Sequence, residues 1–159
     1  MKYLVIGDVH ADYGPFKRAV AYTQEHDLHL VCVGDIIDGG PDGALCVSAM
    51  LKLLDDGRAT MIKGNHEHKI IRYLNGADVI LGPPNRITTD AFETDKQFEA
   101  DFRRMVEDHC QDYAKLSDTL YITHGGMHKD FWQAEKTDTV SKKMRNTMMF
   151  GEADYHKTF

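Results

Sequence analysis

At 159 residues, with 42% hydrophobic and 28% charged side chains, the chain has the size and composition of one soluble domain, residues 1–159, with a buried core. A net charge of −6 without a basic stripe argues against a nucleic-acid binder, and no apolar run is long enough to span a membrane. Cys32, Cys46 and Cys110 are far apart and form no CxxC pair, which fits a reducing compartment better than a disulfide framework.

The first apolar run, residues 2–6, predicts a buried strand. It is too short for a signal-peptide core, so a cytoplasmic location is expected, with neither a membrane nor a nucleic acid as partner. Pro15 opens a helix that carries Phe16, Ala19, Val20 and Thr23 on one face. Residues 28–33 form a second strand ending at Gly34, with Cys32 packed inside it. Val47, Met50, Leu51 and Leu54 mark a second helix, which Gly57 ends. Residues 59–62 read as a third strand, and a helix over 67–74 follows Gly64-Asn65-His66. This β-α-β-α-β-α order predicts an α/β fold with a largely parallel sheet. Residues 78–89, with Gly82-Pro83-Pro84, read as loop, and 92–116 as charged helix with Phe98, Phe102, Met105 and Val106 on one stripe. Residues 120–123 predict a fourth strand ending at His124, Trp132 falls in the polar stretch beyond, and 142–159 show no period.

The chemistry sits at the strand ends, where open α/β sheets collect ligands. Gly7-Asp8-Val9-His10, Gly34-Asp35-Ile36-Ile37-Asp38, Gly64-Asn65-His66-Glu67 and His124-Gly125-Gly126 each follow an apolar run. Asp8 and His10 are two apart, so an extended backbone would turn both to one side. Asp35 offers a carboxylate able to bridge two cations, Asn65 an amide oxygen and His124 an imidazole. Mixed N/O ligation suits Mn, Fe, Zn or Ni. Two such ions can hold phosphate oxygens and a bridging hydroxide that attacks in line. Gly7, Gly34 and Gly64 would let the backbone turn close to the ions. His66 beside Asn65 suits a general acid that protonates the leaving oxygen, with Asp38 orienting its ring. Glu67 reads as a first-turn acid favoured by the helix dipole.

At these residues the chain resembles the calcineurin-like metallophosphoesterases, and more narrowly their phosphoprotein-phosphatase branch. Its ordered motifs match over residues 8–126, and the run from Gly64 to Leu74 is also similar to bacterial and phage relatives. Those relatives include serine/threonine phosphatases, symmetric diadenosine tetraphosphate hydrolases and polynucleotide-repair phosphatases. The resemblance implies a β-sandwich flanked by helices. It implies Asp8, His10 and Asp35 on one metal, Asp35, Asn65 and His124 on a second, and His66 with Asp38 as acid and orienting partner. Two divalent ions are implied, Mn²⁺ first, with Fe, Zn or Ni as alternatives.

Two departures stand out. The branch places an arginine after the Asp38 position to grip the substrate phosphate; here Gly39 stands there. Arg72, Arg145 and Lys63 are the replacement candidates, Arg72 first because its helix starts at the site. The branch also ends on a Gly-His ligand, and none follows His124. His128 and His156 are the local candidates for that role. A fragment of a longer enzyme is therefore expected, or a shortened relative acting as a non-catalytic metal-binding or regulatory module. Its second sheet would be incomplete, with an exposed edge open to homodimerisation. The expected activity is hydrolysis of phosphate monoesters, with phosphoserine or phosphothreonine protein as first substrate. A dinucleoside polyphosphate or a polynucleotide end phosphate is the alternative.

Overall fold

The computed structural model describes residues 1–131 and 140–151. Four short parallel strands form the main sheet in the order β1 (Tyr3–Ile6), β2 (His29–Cys32), β3 (Ala59–Ile62) and β4 (Cys110–Gln111). Tyr3 lies opposite His29, Leu30 opposite Ala59, and Met61 opposite Cys110. Helices α1 (Tyr13–Glu25) and α2 (Gly43–Asp55) make the first two crossovers. From β3 the chain runs through α3 (Asn65–Leu74), α4 (Pro83–Thr94), α5 (Lys96–Arg104) and a π-turn at Met105–His109 before entering β4. β5 (Ala114–Lys115) then pairs antiparallel with β6 (Tyr121–Ile122), and α6 (Lys142–Phe150) follows.

Alternation along the strands divides the core. Leu30, Cys32 and Met61 face the helices and pack with Phe16, Met50, Ile70 and Phe102. Val31 and Ile62 face the other way, against Ala114, with Leu116 and Ile122 around them. Burial on both faces explains why the strand sequences are almost continuously apolar. Each fully buried side chain such as Phe102 or Ile70 contributes about 1.5–3 kcal/mol. The β5–β6 pair is the start of a second layer, and it does not cover the whole face. Val5, opposite Val31 in the register, is 45% exposed there.

The sheet-and-helix architecture agrees with the sequence reading up to residue 76, and departs from it beyond. The stretch 78–89 contains the start of α4. Pro83 takes the first helical position, and the Asn85 side chain accepts the Gly82 N–H at 3.0 Å. Gly82-Pro83-Pro84 therefore starts a helix. Residues 92–116 are not one helical stretch. Asp95 interrupts them and caps α5 by accepting the Phe98 N–H at 2.9 Å, and the chain has turned to strand by Cys110. The strand expected at 120–123 is β6, which joins the second sheet, while β4 fills the fourth position of the first. The segment without a readable period holds α6. Ser141 caps it by accepting the Met144 N–H, and Met144, Met148 and Met149 are buried. Trp132 and His156 lie outside the described residues. Among the described residues no helix is long and apolar enough to cross a membrane.

Candidate metal centre

Backbone and side-chain bonds knit the loops after β1, β2 and β3 into one surface. The His10 N–H donates to the Asp35 carbonyl at 2.8 Å, and the Ala11 N–H to the Ile36 carbonyl at 2.9 Å. Glu67, on the first turn of α3, is fully buried. Its carboxylate accepts the N–H groups of Asp35 (2.8 Å), Ile36 (2.9 Å) and Gly64 (2.9 Å). It thus ties the loop after β2 to the loop after β3, a larger role than that of a dipole-favoured acid. Gly64 must lack a side chain, because a Cβ there would run into the Asp35 carboxylate and sit 2.7 Å from Glu67 Oε2. Gly34 combines a φ of +92° with Gly64 Cα only 2.6 Å from where its Cβ would be. Gly7 meets no such demand: a Cβ there would find only Val33 Cβ, at 3.8 Å.

Asp8, His10, Asp35 and Asp38 hold left-handed backbone, with φ of 50°, 48°, 53° and 69°. Such residues cost roughly 1–3 kcal/mol each, and they gather where a site over-determines the chain. β1 ends at Ile6, so Asp8 and His10 lie beyond the extended strand. Asp8 joins Asp35 and His124, whereas His10 joins Asp35 and His66, the ligand-type atoms of each trio lying within 4.8 Å of one another. Asp35 is common to both trios and is 4% exposed.

The donor set fits a cation. His124 Nδ1–H donates to the Val33 carbonyl at 2.6 Å, which leaves Nε2 as the basic nitrogen. That nitrogen faces Asn65 Oδ1 at 2.8 Å and Asp35 Oδ2 at 3.4 Å. A neutral imidazole would aim a lone pair at two oxygens there, so Nε2 carries a proton in the metal-free protein and can exchange it for a metal ion. His10 is oriented in the same manner, its Nδ1–H towards the Ile37 carbonyl at 3.3 Å. Nitrogen, carboxylate and amide oxygen together suit a borderline divalent metal.

Next to this cluster, His66 Nδ1–H donates to Asp38 Oδ2 at 2.7 Å, and the ring meets His10 edge to face at 4.9 Å. His66 Nε2 lies 3.9 Å from Asp35 Oδ2. Asp38 is fully buried, and it also accepts from Asn85 Nδ2 and Thr88 Oγ1, each at 2.5 Å. These two residues of α4 were hidden in the stretch whose Gly-Pro-Pro reads as loop.

The electrostatics follow from these contacts. Burial, the largest influence on Asp35, pushes its carboxyl up, but hydrogen bonds from His124 and the His66 N–H outweigh it and leave the pKa low. The hydrogen bond to Asp38 raises His66, and that to Asp35 pushes His124 up to about 9. Burial and the Asp35 charge raise Glu67 against the pull of its three N–H partners. A histidine raised on folding lends stability that is complete below its unfolded pKa, near 6.5, and is lost as the pH climbs through the folded value. The melting temperature of chelator-treated protein is therefore expected to fall between pH 6.5 and about 9 in circular dichroism melts. A flat profile would mean that these imidazoles are not charged. Metal competes with the same protons, so added Mn²⁺ is expected to flatten or reverse the fall.

The candidate phosphate grips sit as follows. Arg72 is exposed in the last turn of α3, about 10 Å along the axis from Asn65. Arg145 donates to Asp112 at 2.8 Å, and Lys63 lines a cavity with His68 and Arg145. His128 is buried and accepts the Asp130 N–H on Nδ1 at 3.1 Å; it belongs to neither trio.

A parallel sheet with carboxylates and imidazoles gathered around one shared aspartate at its carboxyl ends has the architecture of a metal-binding phosphoesterase domain. The profile described as calcineurin-like phosphoesterase matches residues 1–151, and the chain belongs to that family. Among curated relatives, a bis(5'-nucleosyl)-tetraphosphatase PrpE [asymmetrical] of Anoxybacillus flavithermus is 25% identical over 96% of this chain and 66% of its own length. A relative of the same name from Oceanobacillus iheyensis is 30% identical over 50% of this chain and 36% of its own length. A serine/threonine phosphatase from Saccharomyces cerevisiae with similarity to human phosphatase PP5 has a similar fold, with a TM-score of 0.60 at 17% identity. That likeness covers 94% of this chain and 48% of the other. A metallophosphoesterase from Sphaerobacter thermophilus gives 0.53 at 23% identity, over 79% of this chain and 47% of the other. The chain thus spans 66% of the first relative's length and about half of these solved structures.

Proposed function

We propose that this chain hydrolyses phosphate esters at a centre held by Asp8, His10, Asp35, Asn65 and His124. The observation that carries the reading is the pair of ligand-type trios, Asp8–Asp35–His124 and His10–Asp35–His66, that share Asp35. Two divalent cations bound there, Mn²⁺ first, would supply Lewis-acid charge at the phosphoryl oxygens and lower the pKa of water. The residues do the rest. Asp35 links the two halves, and the Val33 and Ile37 carbonyls keep His124 and His10 in the ligating tautomer. The bond from Nδ1–H to Asp38 favours the imidazolium form of His66, which presents Nε2–H to the site, gives that proton to the departing oxygen and is left neutral.

On substrate, the names of the curated relatives favour a dinucleoside polyphosphate. Phosphoserine or phosphothreonine protein is the second reading, supported by the sequence motifs. The first test is p-nitrophenyl phosphate turnover after chelation and return of Mn²⁺, with bound metal counted on the same sample. Turnover with bound metal is expected; its absence in a metal-loaded sample would defeat the reading. Diadenosine tetraphosphate and a phosphothreonine peptide then compete for the substrate assignment. His66→Asn is expected to keep the metal while turnover of phenyl phosphate, whose leaving oxygen needs a proton, falls by roughly 10²–10⁴. Metal loss in that variant would make His66 a ligand instead.

A further inference from the structure

We infer that Asn85 and Thr88 are positioning residues: from α4 they lock the Asp38 carboxylate, and through it the direction of the His66 ring. The inference rests on the proposed role of His66. A fully buried carboxylate needs donors on both oxygens. Oδ2 of Asp38 takes His66 Nδ1–H at 2.7 Å and Asn85 Nδ2–H at 2.5 Å, while Oδ1 takes the Thr88 hydroxyl at 2.5 Å. With only His66 present, the carboxylate could turn about its own bond and carry the imidazole with it. The other ring contacts of His66, edge to face with His10 at 4.9 Å and Nε2 at 3.9 Å from Asp35 Oδ2, place no donor on Asp38 and leave that rotation open. The direction of Nε2 is thus fixed from the Nδ1 end.

The support is itself rigid. Thr88 stands three residues after Asn85, so both reach Asp38 from one face of the helix. Asn85 works with both ends of its amide: Oδ1 accepts the Gly82 N–H and closes the first turn of α4, while Nδ2 reaches Asp38. Pro83 presets that turn. The bonds that Asn85 Nδ2 and the Thr88 hydroxyl make toward the site both end on Asp38, so their effect on chemistry passes through Asp38 and His66.

A purely structural role, satisfying a buried charge, would not depend on His66, and the experiment separates the two. Chelator-treated protein labelled with ¹⁵N-histidine gives the His66 Nδ1 proton, assigned by its loss in His66→Asn. Thr88→Val keeps the shape and removes the hydroxyl; Asn85→Ser is the second variant. Both are expected to shift or broaden that proton, and Thr88→Ser to restore it. In turnover, Thr88→Val is expected to lower kcat for phenyl phosphate about 10- to 100-fold. For p-nitrophenyl phosphate, whose leaving group needs little protonation, the expected loss is under about threefold, with KM unchanged. In a His66→Asn background the Thr88 change should add nothing. An equal loss on both esters, or a full loss that persists without His66, overturns the inference. A wild type that turns over neither ester defeats the proposed function instead. The proton signal then decides alone, and an unchanged signal in both variants overturns the positioning role.

Discussion

Asp35→Asn is expected to take turnover below detection while the metal-free fold survives. Asp35 is the carboxylate shared by both trios, so its charge leaves both halves of the centre at once. The amide oxygen of Asn can still accept the His66 N–H that Asp35 accepts at 3.0 Å. Asn also tolerates the left-handed backbone at this position, φ 53°. The change therefore separates charge from shape. Bound metal counted on the variant should drop, and above about pH 9, where His124 is no longer charged, its apo melting temperature should stay within about 4 °C of wild type, the size of a 1 kcal/mol change. Full metal-dependent activity in this variant would place the chemistry elsewhere in the chain.

Glu67→Ala is expected to be the most destabilising single change at the site, by about 3–5 kcal/mol. Three backbone N–H groups, those of Asp35, Ile36 and Gly64, lose their acceptor in a place water does not reach. At this chain length that amounts to a fall of about 10 °C in melting temperature. Glu67→Gln leaves no cavity but turns an NH₂ group toward N–H donors, so it should also be costly. An ordinary first-turn acid would contribute only about 0.3–1 kcal/mol. Urea melts of the two variants distinguish the cases, and a loss below 1 kcal/mol in both would mean that Glu67 does not clamp the loops.

What the sequence makes legible here is what short-range rules govern. Residues 3–6, 29–32 and 59–62 are apolar runs that stop at glycines, so the strands and the loops after them can be read directly. The meeting of Asp8, Asp35 and Asn65 follows once those strands are parallel, whereas His124 arrives after β6 of the second sheet. The left-handed backbone at Asp8 and His10, beyond the strand end, is not readable from the alternation of an extended chain. Glu67 shows the limit most clearly. Its position on α3 is fully explained by local helix preference, which conceals that it bonds to residues 31 and 32 positions away. Asn85 and Thr88 reach Asp38 across 47 and 50 positions, and the Gly-Pro-Pro before them reads as punctuation. β4 and β6 are two residues long, too short for any period to show which sheet each would join.

The left-handed residues Asp8, His10, Asp35 and Asp38 also constrain how such a chain could drift. Asn and Gly accept that backbone at little cost, whereas β-branched side chains resist it. A lineage released from selection for turnover would therefore shed its charges first through Asn or Gly, keeping the loops in shape after the chemistry has gone. Valine or isoleucine at these positions would mark the later stage, when the loops themselves have been rebuilt.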